Sequence, residues 1–156
     1  MVIGAPVISR KSVLASAASA GLIATFGLPA RAAQSSVVGA WKLESFDQMS
    51  ENGAMKPRFG PNPVGYLIYT ASGRVSATLA AAHRPKLLAP DASSSTVEER
   101  SEALRNFLAY AGTYEIRGNH VFHKLETCIW TNLVGTTLER AFEISGDTLA
   151  IRTLPP

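Results

Sequence analysis

Val64-Gly65-Tyr66-Leu67-Ile68-Tyr69-Thr70, turned at Ser72-Gly73 into Arg74-Val75-Ser76-Ala77-Thr78-Leu79, decides the fold class. The first run is almost wholly apolar, and the second places Val75, Ala77 and Leu79 on one face at the period of two that a strand demands. Two such runs joined by a Gly-containing turn read as an antiparallel hairpin. Upstream, Gly39 to Gln48 alternates in the same way, with Trp41, Leu43 and Ser45 on one face and Lys42 and Glu44 on the other. Asn52-Gly53 is a hairpin turn signal, and a short strand is expected over Ala54 to Phe59. Four strands so close together make an antiparallel meander.

Downstream, Ala80 to Ser95 reads as loop, with Pro85, Pro90 and three serines. Thr96-Val97-Glu98-Glu99 is a capping box, so a helix should begin there. Leu104, Phe107, Leu108 and Ala111 supply an apolar stripe at helical spacing, and Gly112 is the expected stop. Strands resume over Thr113 to Arg117, His120 to Leu125, Thr136 to Ile144 and Thr148 to Thr153. The expectation is all-β: eight antiparallel strands in an up-and-down barrel, with one inserted helix. Closure removes exposed edges, and a barrel of this size holds side chains or one small ligand. No βαβ alternation is present.

The 156 residues allow one such domain. Lys plus Arg number 15 against 12 Asp plus Glu, but Arg10, Lys11 and Arg31 lie in the first 32 residues, which hold no acid. The rest of the chain is neutral overall, which argues against a nucleic-acid binder. Residues 1–33 read as an export signal. Arg10-Lys11 precede an apolar stretch from Val13 to Leu28, and Ala30-Arg31-Ala32 offers a small-x-small cleavage site. The stretch falls short of the roughly 20 strongly apolar residues of a membrane span. Ser9-Arg10-Lys11-Ser12-Val13-Leu14 resembles a twin-arginine motif with lysine in the second basic place, and an ordinary secretory signal fits as well. The mature domain is expected to span 34–156 and to be periplasmic or secreted, with no stable membrane insertion after cleavage.

Several blocks together resemble a known family. Gly39-Ala40-Trp41-Lys42-Leu43 is similar to the opening Gly-x-Trp of the lipocalin superfamily. Phe59 to Thr70, Arg84-Pro85, Tyr110-Ala111-Gly112-Thr113-Tyr114-Glu115 and Asn132-Leu133-Val134-Gly135-Thr136 resemble the bacterial and fungal lipocalin-like domain family. The resemblance implies a single-domain lipocalin-like (calycin) barrel with a small-molecule pocket; it supplies no reaction. Trp130-Thr131 and Leu133 depart from the family's usual residues in one mouth loop, so no ligand preference carries over.

His123 is the first candidate for chemistry. It shares a face with Val121 and Leu125, so it should point inward, able to hydrogen-bond a ligand or move a proton near neutrality. Glu126 could orient it only if the strand bends. His120 faces the other side, which argues against a shared metal ion. Tyr66, Tyr69, Tyr110 and Tyr114 are candidate ligand-lining residues, each equally able to fill the barrel; Tyr66 and Tyr69 must face opposite ways. Arg84 is a candidate rim cation, and Trp130 a candidate lid. Arg74 and Arg140 read as strand residues with outer-face or cross-strand partners. Cys128 reads as a small apolar residue. No nucleophile elbow, phosphate loop or dinucleotide fingerprint is present, so no cofactor is expected. Three readings follow: an exported protein binding a small hydrophobic molecule, a cofactor-free cyclase or isomerase acting on a polyketide- or terpenoid-like substrate, or a filled barrel serving as an interaction domain.

Overall fold

The computed structural model describes residues 5–9, 37–50 and 53–153. Eight antiparallel strands carry the domain: β2 (Gly39–Met49), β3 (Met55–Pro57), β4 (Val64–Tyr69), β5 (Arg74–Ala80), β6 (Phe107–Arg117), β7 (His120–Cys128), β8 (Thr137–Ser145) and β9 (Thr148–Thr153). They form one curled sheet in the order β9-β8-β7-β6-β5-β4-β2-β3, with α1 (Val97–Arg105) between β5 and β6. The all-β, lipocalin-like expectation therefore holds. A further strand, β1 (Ala5–Ser9), pairs antiparallel with both β9 and β2, so the two ends of the curl meet across it. The rest of the segment read as a leader lies outside the described residues, as does Asn52 of the first turn. No helix among the described residues is long and apolar enough to cross a membrane.

Alternation places the core where the sequence pattern points. Trp41 and Leu43 of β2, Leu67 and Tyr69 of β4, and Val75, Ala77 and Leu79 of β5 all turn inward and are buried. Trp41 is 0% exposed, and its indole Nε1 donates to the Val37 carbonyl at 2.7 Å, so the ring is buried without an orphaned donor. β4 and β5 approach so closely at Gly65 that a Cβ there would lie 2.0 Å from the Thr78 carbonyl oxygen. Its φ of +137° independently excludes most side chains.

The helix is shorter than expected. The capping box at Thr96 and Glu99 forms, but α1 ends at Arg105, with Asn106 as its C-cap. Phe107, Leu108 and Ala111 lie on β6, which pairs with β5 over seven residues from Ala80↔Phe107 to Arg74↔Thr113. A nine-residue helix is marginal alone. Phe107-Leu108-Ala109-Tyr110 also fits a period of two, and a full strand ladder outweighs one extra helical turn. The consequence is functional, because it turns Tyr110 inward beside Gly112 and Tyr114.

Candidate functional site

β6 and β7 build the polar part of the interior. Tyr114 stands directly opposite His123, which stands opposite Leu138 of β8. Leu125 pairs with Gly112, and the register then slips so that Cys128 faces Tyr110. This bulge inserts Glu126 as an extra residue on β7. The strand does bend at Glu126, yet the carboxylate turns outward, 2.7 Å from Arg74, and does not orient the histidine.

His123 is held instead by two tyrosines. Its Nε2 lies 2.7 Å from the Tyr69 hydroxyl and its Nδ1 3.0 Å from the Tyr110 hydroxyl. The imidazole is 1% exposed. In the neutral ring one nitrogen donates and the other accepts, so one tyrosine accepts from the ring while the other donates to it. Tyr69 also meets Tyr114 edge-on at 4.8 Å, and the Tyr114 hydroxyl donates to the Thr70 carbonyl at 3.0 Å. Burial, helped by the positive charge of Arg140, lowers the His123 pKa from 6.5 to about 3. Burial likewise pushes the Tyr110 hydroxyl up to about 12 and Tyr69 well above its ordinary value. The network is therefore neutral across the physiological range. Of the roles open to His123 in the sequence, ligand hydrogen bonding, proton transfer or a core imidazole held by a tyrosine hydroxyl, the structure shows the tyrosine bonds, and an imidazole so desolvated is a weak base near neutrality.

Arg140 departs from its expected place. It lies on the inner face of β8, opposite Val121, and its charge acts on Tyr69, Tyr110 and His123. Burial depresses its own pKa. Its Nη1 donates to the Glu139 carbonyl at 2.8 Å, and no carboxylate among the described residues pairs with it. The alternation of Leu138, Phe142 and Ile144 against Glu139 and Glu143 within β8 is the signal that places Arg140 inward. Around it the wall is incompletely covered: Leu138, Arg140, Phe142 and Ile144 of β8, and Tyr110 of β6, are only half-buried although they face in.

Trp130 follows β7 at the start of a short 3-10 turn, Thr131–Leu133, and packs against the core. Its Nε1 is buried and has no hydrogen-bond partner. Tyr66 and Arg84 stand elsewhere. Tyr66 is 52% exposed on the outer face, opposite in sense to Tyr69 as the spacing requires. Arg84 donates to the Ala103 carbonyl at 3.1 Å and stacks 4.9 Å over Phe107, whose side chain is also external, so it ties the loop to α1. His120 bonds Glu139 on the outer face at 2.6 Å, on the side away from His123. The structure thus gathers Tyr69, Tyr110, Tyr114 and His123, adds Arg140, and leaves Tyr66 and Arg84 outside.

Residues 38–155 match the lipocalin-like domain family, and the chain belongs to it. The match begins well after β1. A 4'-hydroxy-3'-methoxypropiophenone carrier protein, ppsC of Aspergillus oryzae, is 35% identical over 71 residues, which cover 40% of this chain and 64% of that relative. The chain thus spans less than two thirds of the carrier's length. No solved structure matches.

Proposed function

We propose, with membership of the lipocalin-like domain family as the premise, that this chain carries a small, hydrophobic aryl ketone in the half-covered space beside β8. The observation that supports this most directly is the buried, unpartnered Nε1 of Trp130. A buried donor without an acceptor costs roughly 1–3 kcal/mol, a cost that a ligand oxygen or an ordered water would remove. Half-buried Tyr110, which stands opposite Cys128 at the same end of β7 as Trp130, adds aromatic surface, the usual make-up of a small-molecule site. The name of the Aspergillus relative points to the same chemistry. The alternative, a cyclase or isomerase moving a proton through His123, asks for an imidazole that titrates near neutrality. One satisfied on both nitrogens and held at about 3 favours carriage. The basic and apolar pattern of residues 1–33 supports carriage outside the cytoplasm, in the periplasm or beyond the cell.

Trp41 is fully buried, so Trp130 should dominate any ligand-dependent change in indole fluorescence. Titration with 4-hydroxyacetophenone should quench that emission saturably, and Trp130→Phe, whose affinity is read by calorimetry because the substitution removes the reporter, should bind about tenfold more weakly, as loss of one hydrogen bond requires. A folded protein that shows no saturable response overturns the carrier reading. Mass spectrometry of protein from periplasmic and cytoplasmic fractions tests export. A chain beginning near Ala33 outside the cytoplasm is expected, and an unprocessed cytoplasmic chain overturns it.

A further inference from the structure

We infer that Arg140 is the anion-recognising residue of the half-buried inner face of β8, and that the ligand it selects is an acidic phenol bound as its phenolate, with the oxygen on the guanidinium. This deepens the carrier reading and rests on it. Strand arginines ordinarily keep their charge in water or against a carboxylate, as Arg74 does with Glu126. Arg140 is only partly in water and pairs with no carboxylate among the described residues. It lies on the inner face of β8 and donates one hydrogen bond to a backbone carbonyl. A half-buried cation without a counter-ion is costly unless something of opposite charge completes it.

The neighbours decide what kind of anion fits. From β4, β6 and β7 the groups within electrostatic reach of Arg140 are Tyr69, Tyr110 and His123, all neutral and without a competing carboxylate. Along β8, Leu138 and Phe142 share its face. A carboxylate or phosphate would bring a concentrated, strongly hydrated charge into this apolar setting. A phenolate conjugated to a para carbonyl spreads its charge over the ring, loses less hydration, and lays a flat apolar body against Phe142. The same conjugation makes the free phenol acidic, so ionisation on binding requires only a modest shift. The proton goes to solvent, and no bond beyond O–H breaks.

The test uses the full chain with two probes, 4-hydroxyacetophenone and its methyl ether, 4-methoxyacetophenone, which cannot ionise. The phenolate of the first absorbs at longer wavelength than the phenol, so the ionisation midpoint of the bound probe can be read directly. Between pH 5 and 9 His123, Tyr69 and Tyr110 do not titrate, and the change therefore reports the ligand. The bound phenol should ionise at least one pH unit below the free phenol, which means the phenolate binds tenfold or more tightly than the phenol. Arg140→Met should abolish that shift while leaving ether affinity within twofold, and Arg140→Lys should restore part of it. An unshifted bound phenol, or a shift that survives in Arg140→Met, overturns the assignment while carriage stands. A folded protein that binds neither probe overturns the carrier reading and this inference with it.

Discussion

The two halves of the inner wall are built on different terms. Along β2, β4 and β5 the inward residues Trp41, Leu43, Leu67, Tyr69, Val75 and Ala77 are all buried, and their polar atoms are matched within the protein. Along β8 and the start of β6 the inward residues Tyr110, Leu138, Arg140 and Phe142 are half-buried, Arg140 has the Glu139 carbonyl but no carboxylate partner among the described residues, and Trp130 Nε1 has no hydrogen-bond partner there. The first wall is finished by folding. On the proposed function, the ligand completes the second. His123 sits between them, fully buried, with one tyrosine from each side.

Truncation should separate the walls most strongly. Trp41→Ala removes the largest fully buried side chain and is expected to cost about 3–5 kcal/mol in urea unfolding. Phe142→Ala, already in contact with solvent, should cost less than half as much and show its main effect in probe affinity. Equal losses in stability would mean that the β8 side is core after all.

Acid should act on the network between the walls. The folded pKa of His123, about 3, lies below its unfolded value near 6.5. The unfolded chain therefore binds the extra proton as pH falls through that window. Stability is fully present above pH 6.5 and is lost on acidification, by roughly 2 kcal/mol between pH 7 and 5 from this group alone. His123→Gln keeps a side chain that donates and accepts but does not titrate. Its urea midpoint should lack this component of the pH dependence, and an identical acid slope in both proteins would show that His123 is not the titrating group.

Much of this division was legible in the chain before folding. Strict alternation in β2, β5 and β7 named Trp41, Leu43, Val75, Ala77, Val121 and His123 as inward. The three-residue spacing of Tyr66 and Tyr69 required that one of them face out. What alternation could not give was register between strands distant in the chain. Arg140 shares the apolar face of Leu138, Phe142 and Ile144 by alternation within β8, and the β7–β8 pairing sets it against Val121. Phe107 and Leu108 fit a helical stripe as well as a strand, and only the ladder with β5 decides between them. Pairing Tyr69 with His123, 54 positions apart, needs the complete curl.

The tyrosines allow a finer comparison. Tyr69→Phe removes a fully buried partner of His123 and leaves Nε2 with no access to water, so a loss of about 1–3 kcal/mol is expected. Tyr110→Phe removes the other partner from a half-covered position that water or ligand can reach, and the loss should be at the low end of that range. Chemical denaturation of the two variants measures the difference. A larger loss at Tyr110 would place the finished wall on the wrong side of the molecule.

The smallest effect belongs to the arginines. Arg74 and Arg140 both sit on strands and both read as residues with outer-face or cross-strand partners. Arg74 is outward: its pair with Glu126 is about half exposed on each side, 56% and 50%, and such pairs contribute between 0 and about 1 kcal/mol. Arg74→Met should shift the urea midpoint barely and leave probe binding unchanged. Arg140→Met should leave the unliganded protein as stable or slightly more so, since an uncompensated half-buried charge is exchanged for an apolar chain, while phenolate binding weakens. A residue maintained for the fold destabilises the empty protein when lost, whereas one maintained for a ligand destabilises only the complex. Probe-dependent thermal shifts of the two variants distinguish these cases: a reduced shift in Arg140→Met alone places the guanidinium in the binding wall, and a reduced shift in both would make it a general effect of surface charge.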